Sequence, residues 1–244
     1  MLQRTKLLIP NLITLCNLLC GFLSLVYSIQ ENFALASRLV LIGIILDFLD
    51  GFIARRLKAE SKFGLEFDSL ADFITFGIAP SFLVYLWALK PHFDNLGIVA
   101  SFTYLSSIGF RLARFNSSDV GLIHFRGLPS PAAAMALAVL PLTLSSDHLN
   151  VIPVVCLSAL FLLAALCSSK IVFLSLKQDT RITRNQKIWI ALILILLWYL
   201  GWVGVFLICY AYVLSGPIIY LAKLLTSRKT NLILSLLSLA KLLP

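Results

Sequence analysis

The sequence predicts an all-α fold, a polytopic transmembrane helix bundle, on three observations. The mean hydropathy is +0.96 with 13% charged residues, far outside the range of soluble domains. Apolar runs of about 20 residues, long enough to cross a bilayer, recur along the whole chain. The third observation is where the charge sits. With the N-terminus placed inside, all of the 20 Lys and Arg except Lys90 and Arg38 fall on the cytoplasmic side, as the positive-inside rule requires.

The first span, 10–30, follows Arg4 and Lys6. No small-residue cleavage site closes it, so it reads as a retained helix rather than a signal peptide. The second, 33–57, leads into Arg55, Arg56, Lys58 and Lys62, and the third covers 66–89. The fourth, 95–113, ends at Arg111 and Arg114. The fifth, 129–146, opens on Pro129 and Pro131, tolerated in a helix's first turn. The sixth covers 150–168. Spans 185–200 and 203–223 form one apolar stretch, divided at "YLGWVG", where Gly201 and Gly204 permit a tight turn. An even number of spans puts both termini in the cytoplasm and the protein in the cell (inner) membrane. The tail "TSRKTNLILSLLSLAKLLP" is too short in apolar length to cross and is expected at the interface.

The net charge of +9 therefore reads as orientation and affinity for anionic lipid, not nucleic-acid binding. The five cysteines (16, 20, 156, 167 and 209) lie in apolar spans without a C-x-x-C pair and read as small buried hydrophobes. His92, His124 and His148 fall in loops and carry no assigned role.

One stretch breaks the apolar pattern. Asp47, Asp50, Glu60, Glu66, Asp68 and Asp72 are six of only 11 acidic residues, and acids inside membrane spans are functional by default. Residues 47, 50, 51, 54 and 55 fall on one helical stripe, and residues 64, 68 and 72 on one stripe of the next helix. Glu60 and Glu66 lie off both stripes and read as solvated. The short basic connection makes the two helices antiparallel. At about 1.5 Å rise per residue, Asp47 lies on the order of 15 Å from the cytoplasmic helix end.

Four carboxylates converging on a cavity in the cytoplasmic leaflet cannot all stay ionised unaided. Divalent cations are the economical compensation, and an all-oxygen donor set favours a hard ion, Mg²⁺ or Mn²⁺, with Ca²⁺ also admissible. Two such ions suit phosphoryl transfer. Gly51, Ala54 and Gly64 leave room for a bulky ligand, although small residues also serve close helix packing. Arg55 offers a planar donor fork for phosphate.

The pattern D-x2-D-G-x2-A-R-x8-G-x3-D-x3-D, met at every position from Asp47 to Asp72, resembles that of the CDP-alcohol phosphotransferases. The resemblance covers about residues 1–168 and implies a six-helix transmembrane core, a homodimer, and residues 169–244 as additional C-terminal spans and tail. It implies that Asp47, Asp50 and Asp68 ligate a metal pair. Asp72 would be the general base and a further ligand, and Gly51, Ala54, Arg55 and Gly64 would line the CDP site. The implied reaction is displacement at the lipid-side phosphorus of a CDP-activated lipid by an alcohol, releasing CMP.

"PNLITLCNLLCGFLSL", "FDSLADFITFGIAPSFLVY", "RLARFN" and "FRGLPSPAAA" are similar to stretches of the integral-membrane phosphatidylserine synthases of this family. The departure is Thr75, where that branch is expected to carry serine. This likeness implies CDP-diacylglycerol and L-serine as substrates. An amino-acid acceptor needs cations for its carboxylate, and Arg111, Arg114 and Arg126, with Asn116 as polar partner, are available. The arginines also serve topology or lipid phosphates. Asn11 and Thr14, at the start of the first span, contact phosphate or cap the helix. Two other readings stand beside this one. The acceptor could be another alcohol (glycerol 3-phosphate or an inositol phosphate), or the chain could be a cation transporter, which leaves Gly51, Ala54, Arg55 and Gly64 unexplained.

Overall fold

The computed structural model describes residues 2–59, 61–117, 127–144, 151–171, 173 and 201–221. Among these there is helix and no strand. The helices are α1 (Leu2–Ile29), α2 (Phe33–Leu57), α3 (Lys62–Leu89), α4 (Asp94–Ser117), α5 (Ser130–Thr143), α6 (Ile152–Ser168) and α7 (Gly201–Leu221). The expected span 185–200 and Arg126 lie outside the described residues.

The α1–α2 turn is tight because its ends are satisfied locally. Glu31 takes the left-handed conformation (φ 62°), and the Asn32 N–H reaches back to the Tyr27 carbonyl at 2.9 Å. This is the Schellman arrangement that stops a helix. The Asn32 side chain then accepts from the Leu35 N–H and caps α2. The α2–α3 turn repeats the device. Lys58 is left-handed (φ 51°), Ala59 N–H donates to the Ala54 carbonyl, and Ser61 caps α3 through Gly64 N–H at 3.0 Å. That cap explains why α3 begins at Lys62, four residues before the expected start.

α3 is one rod with two π-helical stretches, Phe73–Ile78 and Tyr85–Leu89. Pro80 has no N–H for the carbonyl of Phe76, four residues back, and its ring crowds that carbonyl. Widening the turn relieves the crowding. The buried Tyr104 hydroxyl of α4 donates to the Phe76 carbonyl at 2.8 Å. A proline in a membrane helix is thus accommodated by a neighbouring side chain.

Among the described residues, four helices are long and apolar enough to cross a membrane: Leu8–Ile29 within α1, α3, α4 and α7. α2 has the length but carries Arg38, Asp47 and Asp50 in its interior. The expected fifth span, 129–146, is shorter as a helix. It is interrupted at Val139, because Pro141 disfavours helix in the preceding turn, and it ends at Thr143. α6 is likewise short, at 17 residues. The bundle is therefore a polytopic helical membrane domain, but its spans are unequal.

The larger core gathers Leu89, Tyr104, Ile108, Leu137, Leu160 and Val213 from α3 to α7. A smaller one joins α2, α3 and α5 through Val40, Phe76, Ala79, Ala134 and Ala138. α7 docks on α5, with the Tyr210 hydroxyl donating to the Ala136 carbonyl at 3.2 Å. Leu12, Phe48, Phe102 and Phe110 are exposed, as helices surrounded by hydrocarbon allow.

Candidate active site

Three helices meet where α1 crosses the α2–α3 hairpin. Their close approach depends on two glycines. A Cβ on Gly21 would lie 2.5 Å from Thr75 Oγ1 and 2.9 Å from Thr75 Cα. One on Gly43 would lie 2.5 Å from Thr75 Cγ2. The Thr75 hydroxyl donates to the Asn17 carbonyl at 3.0 Å, so the residue that departs from the expected serine keeps a hydroxyl's work.

Above this crossing the carboxylates converge. One oxygen each of Asp47, Asp50 and Asp68 lies within 4.8 Å of the others. Asp72 lies against Asp47 and within electrostatic reach of Asp50 and Asp68. Asp50 and Asp72 are buried, at 4% and 8% exposure. Asp68 Oδ1 is buried with no hydrogen-bond partner among the described residues. A buried carboxylate oxygen left without a donor is costly, and a hard cation shared with two neighbouring carboxylates satisfies it. The donor set thus fits a divalent metal.

α1 supplies the wall of this pocket. A Cβ on Gly64 would lie 3.2 Å from Asn11 Oδ1, so a larger residue there would press on Asn11. Thr14 donates to Asp50 Oδ2 at 2.7 Å and also contacts the Pro10 carbonyl at 3.1 Å. Asn17 Nδ2 donates to Asp72 Oδ1 at 3.4 Å. Because α1 begins at Leu2, Asn11 and Thr14 lie well inside the helix. The capping reading of these two residues is therefore overturned.

The remaining expected residues divide into two groups. The Arg55 guanidinium folds over Gly51, whose Cβ would meet Nη1 at 3.3 Å, and its charge acts on Asp47 and Asp50. Ala54 is half-buried one turn below Asp50. Arg111 turns toward α5, where Nη1 donates to Ser130 Oγ at 2.8 Å. Its buried Nε has no partner among the described residues, and its charge reaches Asp72. Arg114 is exposed. Asn116 sits in a separate groove of about 290 Å³ between α3 and α4. There it accepts from Ser69 Oγ at 3.2 Å and donates to Glu66 at 3.1 Å.

Sequence reasoning missed Asn17, Ser130 and the pairing of Glu66 with Asn116. A signal for Asn17 was present: Asn11, Thr14 and Asn17 recur every three residues in an otherwise apolar run. Gly127 takes the left-handed conformation (φ 88°). Its N–H donates to the Ile171 carbonyl at 2.8 Å, and a Cβ there would lie 2.5 Å from the Cys167 carbonyl oxygen. This contact ties the start of α5, and with it Ser130, to the end of α6.

The family model described as CDP-alcohol phosphatidyltransferase matches residues 7–174. Similar proteins include the CDP-diacylglycerol–serine O-phosphatidyltransferase of Helicobacter pylori, 41% identical over 143 residues, which are 58% of this chain and 60% of that protein. The enzyme of the same name from Bacillus subtilis is 41% identical over 135 residues, 55% of this chain and 76% of that protein. Archaetidylserine synthase of Methanothermobacter thermautotrophicus is 36% identical over 137 residues, 55% of this chain and 58% of that protein. The match thus spans about three-fifths of the length of the first and third of these relatives. With the matched region covering more than half of the chain and containing the whole acidic hairpin, the chain belongs to the CDP-alcohol phosphatidyltransferase family.

Proposed function

We propose that this chain transfers the phosphatidyl group of CDP-diacylglycerol to the hydroxyl of L-serine, giving phosphatidylserine and CMP. The observation that carries this reading is the convergence of Asp47, Asp50 and Asp68 with Asp72 beside them. The choice of acceptor rests on relatives 41% identical that bear the corresponding name.

Asp47, Asp50 and Asp68, with Asp72 as a further ligand, would hold two divalent ions, Mg²⁺ or Mn²⁺. Bound there, the ions supply charge neutralisation for the pyrophosphate and the departing CMP. Asp72 accepts the proton of the serine hydroxyl as its oxygen attacks the lipid-side phosphorus and the bond to the CMP oxygen breaks. Gly51, Ala54, Gly64 and Asn11 leave space for the CDP moiety, with Arg55 as its phosphate fork. Arg111 and Arg114 provide charge for the serine carboxylate.

The reading includes a core over 1–168 with the C-terminal spans as an addition, a homodimer, and an active site opening to the cytoplasmic face of the inner membrane. Basic residues 55, 56, 58, 62, 111 and 114 cluster at the end of the bundle where α2 passes into α3 and α4 ends, and this supports that orientation.

The test is CMP release from CDP-diacylglycerol by the purified full chain with Mn²⁺, offering serine, glycerol 3-phosphate or inositol phosphate in turn. Stimulation by serine alone is expected. Release driven by a phosphorylated acceptor and not by serine would reject the acceptor. Asp72→Asn is expected to lower kcat by roughly 10²–10⁴-fold, and full turnover in that variant would remove the base assignment.

A further inference from the structure

We infer that Asn17 is a positioning residue for Asp72, holding one carboxylate oxygen so that the other is turned to the acceptor hydroxyl. This rests on the reading of Asp72 as the general base.

Asn17 is completely buried, and its Nδ2 donates to Asp72 Oδ1 at 3.4 Å. The other side chains acting on Asp72 from α2 and α3 are Asp47, Asp50 and Asp68. All three are carboxylates, which as ions only accept hydrogen bonds. Asn17 is thus the neutral donor that α1 contributes to a carboxylate that faces carboxylates on α2 and α3 and the more distant charge of Arg111 on α4.

The amide has little freedom to do anything else. Its main-chain carbonyl is held by the Thr75 hydroxyl at 3.0 Å. Its Oδ1 sits 3.0 Å from where a Cβ on Gly43 would be and has no hydrogen-bond partner among the described residues. Turning the amide over would point that oxygen at the Asp72 carboxylate, an acceptor facing an acceptor. With Asp72 ionised, as its role as base requires, the nitrogen is the end of the amide that faces it. A buried carbonyl oxygen without a donor is normally avoided. Its retention here indicates that the position is set by the nitrogen's task.

The consequence is mechanistic. In the transfer step the hydroxyl proton passes to Asp72 as the new P–O bond forms and the bond to CMP breaks. A base anchored through Oδ1 presents Oδ2 in a fixed direction, whereas a free carboxylate rotates among its charged neighbours. Loss of the anchor should slow the chemical step without weakening either substrate.

The experiment compares Asn17→Ala, and Asn17→Leu as a nearly isosteric variant in case the alanine leaves a destabilising void. Both are made in the purified full chain with CDP-diacylglycerol, serine and Mn²⁺. For either, kcat is expected to fall roughly 10–100-fold, the scale of removing an orienting partner. The KM values for both substrates are expected to stay within about threefold, and so is the Mn²⁺ affinity measured by titration calorimetry, because Asp47, Asp50 and Asp68 keep the ions when Asp72 is misdirected. In an Asp72→Asn background the same substitution should change the residual rate less than about twofold, because coupled residues are non-additive. An unchanged kcat, or a fall in Mn²⁺ affinity that parallels kcat, overturns the inference. Asp72→Asn alone separates the two readings. If it retains kcat, the base assignment fails. If it is inactive while Asn17→Ala and Asn17→Leu turn over normally, only the role of Asn17 fails.

Discussion

Thr14 of α1 and Asp50 of α2, 36 residues apart, are joined by a 2.7 Å hydrogen bond between side chains that are both 4% exposed. The hydroxyl has one proton, and the short contact to a carboxylate is the stronger claim on it than the 3.1 Å contact to the Pro10 carbonyl. Thr14 therefore fixes the orientation of the Asp50 carboxylate, a metal ligand in the proposed reading. Thr14→Val should raise the Mn²⁺ concentration for half-maximal CMP release on the order of 10–100-fold. Thr14→Ser, which keeps the hydroxyl, should stay close to the parent. An unshifted metal dependence in the valine variant would show that this bond only holds helices together.

The glycines at the three-helix crossing make a more selective prediction. Gly43→Ala drives a methyl to 2.5 Å from Thr75 Cγ2 and should cost about 1–3 kcal/mol, as overpacking does. Thr75→Ser deletes that same methyl and should recover much of the loss. Gly21→Ala meets Thr75 Oγ1 and the Thr75 backbone instead, so Thr75→Ser should not rescue it. Thermal unfolding of the two pairs in detergent distinguishes these cases. Equal rescue of both would mean that the backbone shifts freely at the crossing.

Tyr104 and Pro80 form a second coupled pair. Pro80 deprives the Phe76 carbonyl of its helical donor, and Tyr104 supplies one. Tyr104→Phe should destabilise by about 1–3 kcal/mol, the cost of leaving a buried acceptor unpaired. In a Pro80→Ala background, where an N–H is restored at that position, the penalty of Tyr104→Phe should shrink. Additive losses would show that the hydroxyl has no special relation to the proline.

The acidic hairpin was legible because charge inside an apolar span is expensive, and helical spacing shows at once which charges share a face. Thr14 and Asn17 were not legible in the same way. A polar residue on α1 gains meaning only from the crossing that brings it to α2 or α3, and that crossing is set by Gly21, Gly43 and Thr75 together. Asn116 was grouped with the arginines because they are near in sequence. One helix can present residues to two neighbours, and Asn116 faces Glu66 and Ser69 while Arg111 faces Ser130. The break at Val139 was not legible because the apolar character of 129–146 conceals the effect of Pro141 on the turn before it.

Metal dependence tests the acidic cluster directly. Chelation should abolish CMP release, and Mg²⁺ or Mn²⁺ should restore it. Asp68→Asn replaces a buried oxygen that has no protein partner with a neutral amide. It should therefore reduce Mn²⁺ affinity by more than about tenfold without a comparable loss of fold stability, since no hydrogen bond to that oxygen is broken. A variant with unchanged Mn²⁺ affinity would remove Asp68 from the ligand set.

Arg111 tests the acceptor side. Ser130 Oγ uses one arm of its guanidinium, while the buried Nε remains without a partner. The Arg111 charge acts on Asp72, the proposed base, which makes Arg111 the candidate partner of the serine carboxylate. Arg111→Lys keeps the charge but loses the planar fork, so the KM for serine should rise about tenfold or more, as expected for a lost charge-assisted bidentate contact. The KM for CDP-diacylglycerol should stay within about threefold, as its phosphates fall to Arg55 and the metal ligands in this reading. Ser130→Ala frees Nη1 without moving the charge and should change the serine KM only about two- to tenfold, the range of a single neutral hydrogen bond. If Arg111→Lys raised both KM values together, Arg111 would belong to the nucleotide side of the site. If neither moved, its charge would serve topology alone.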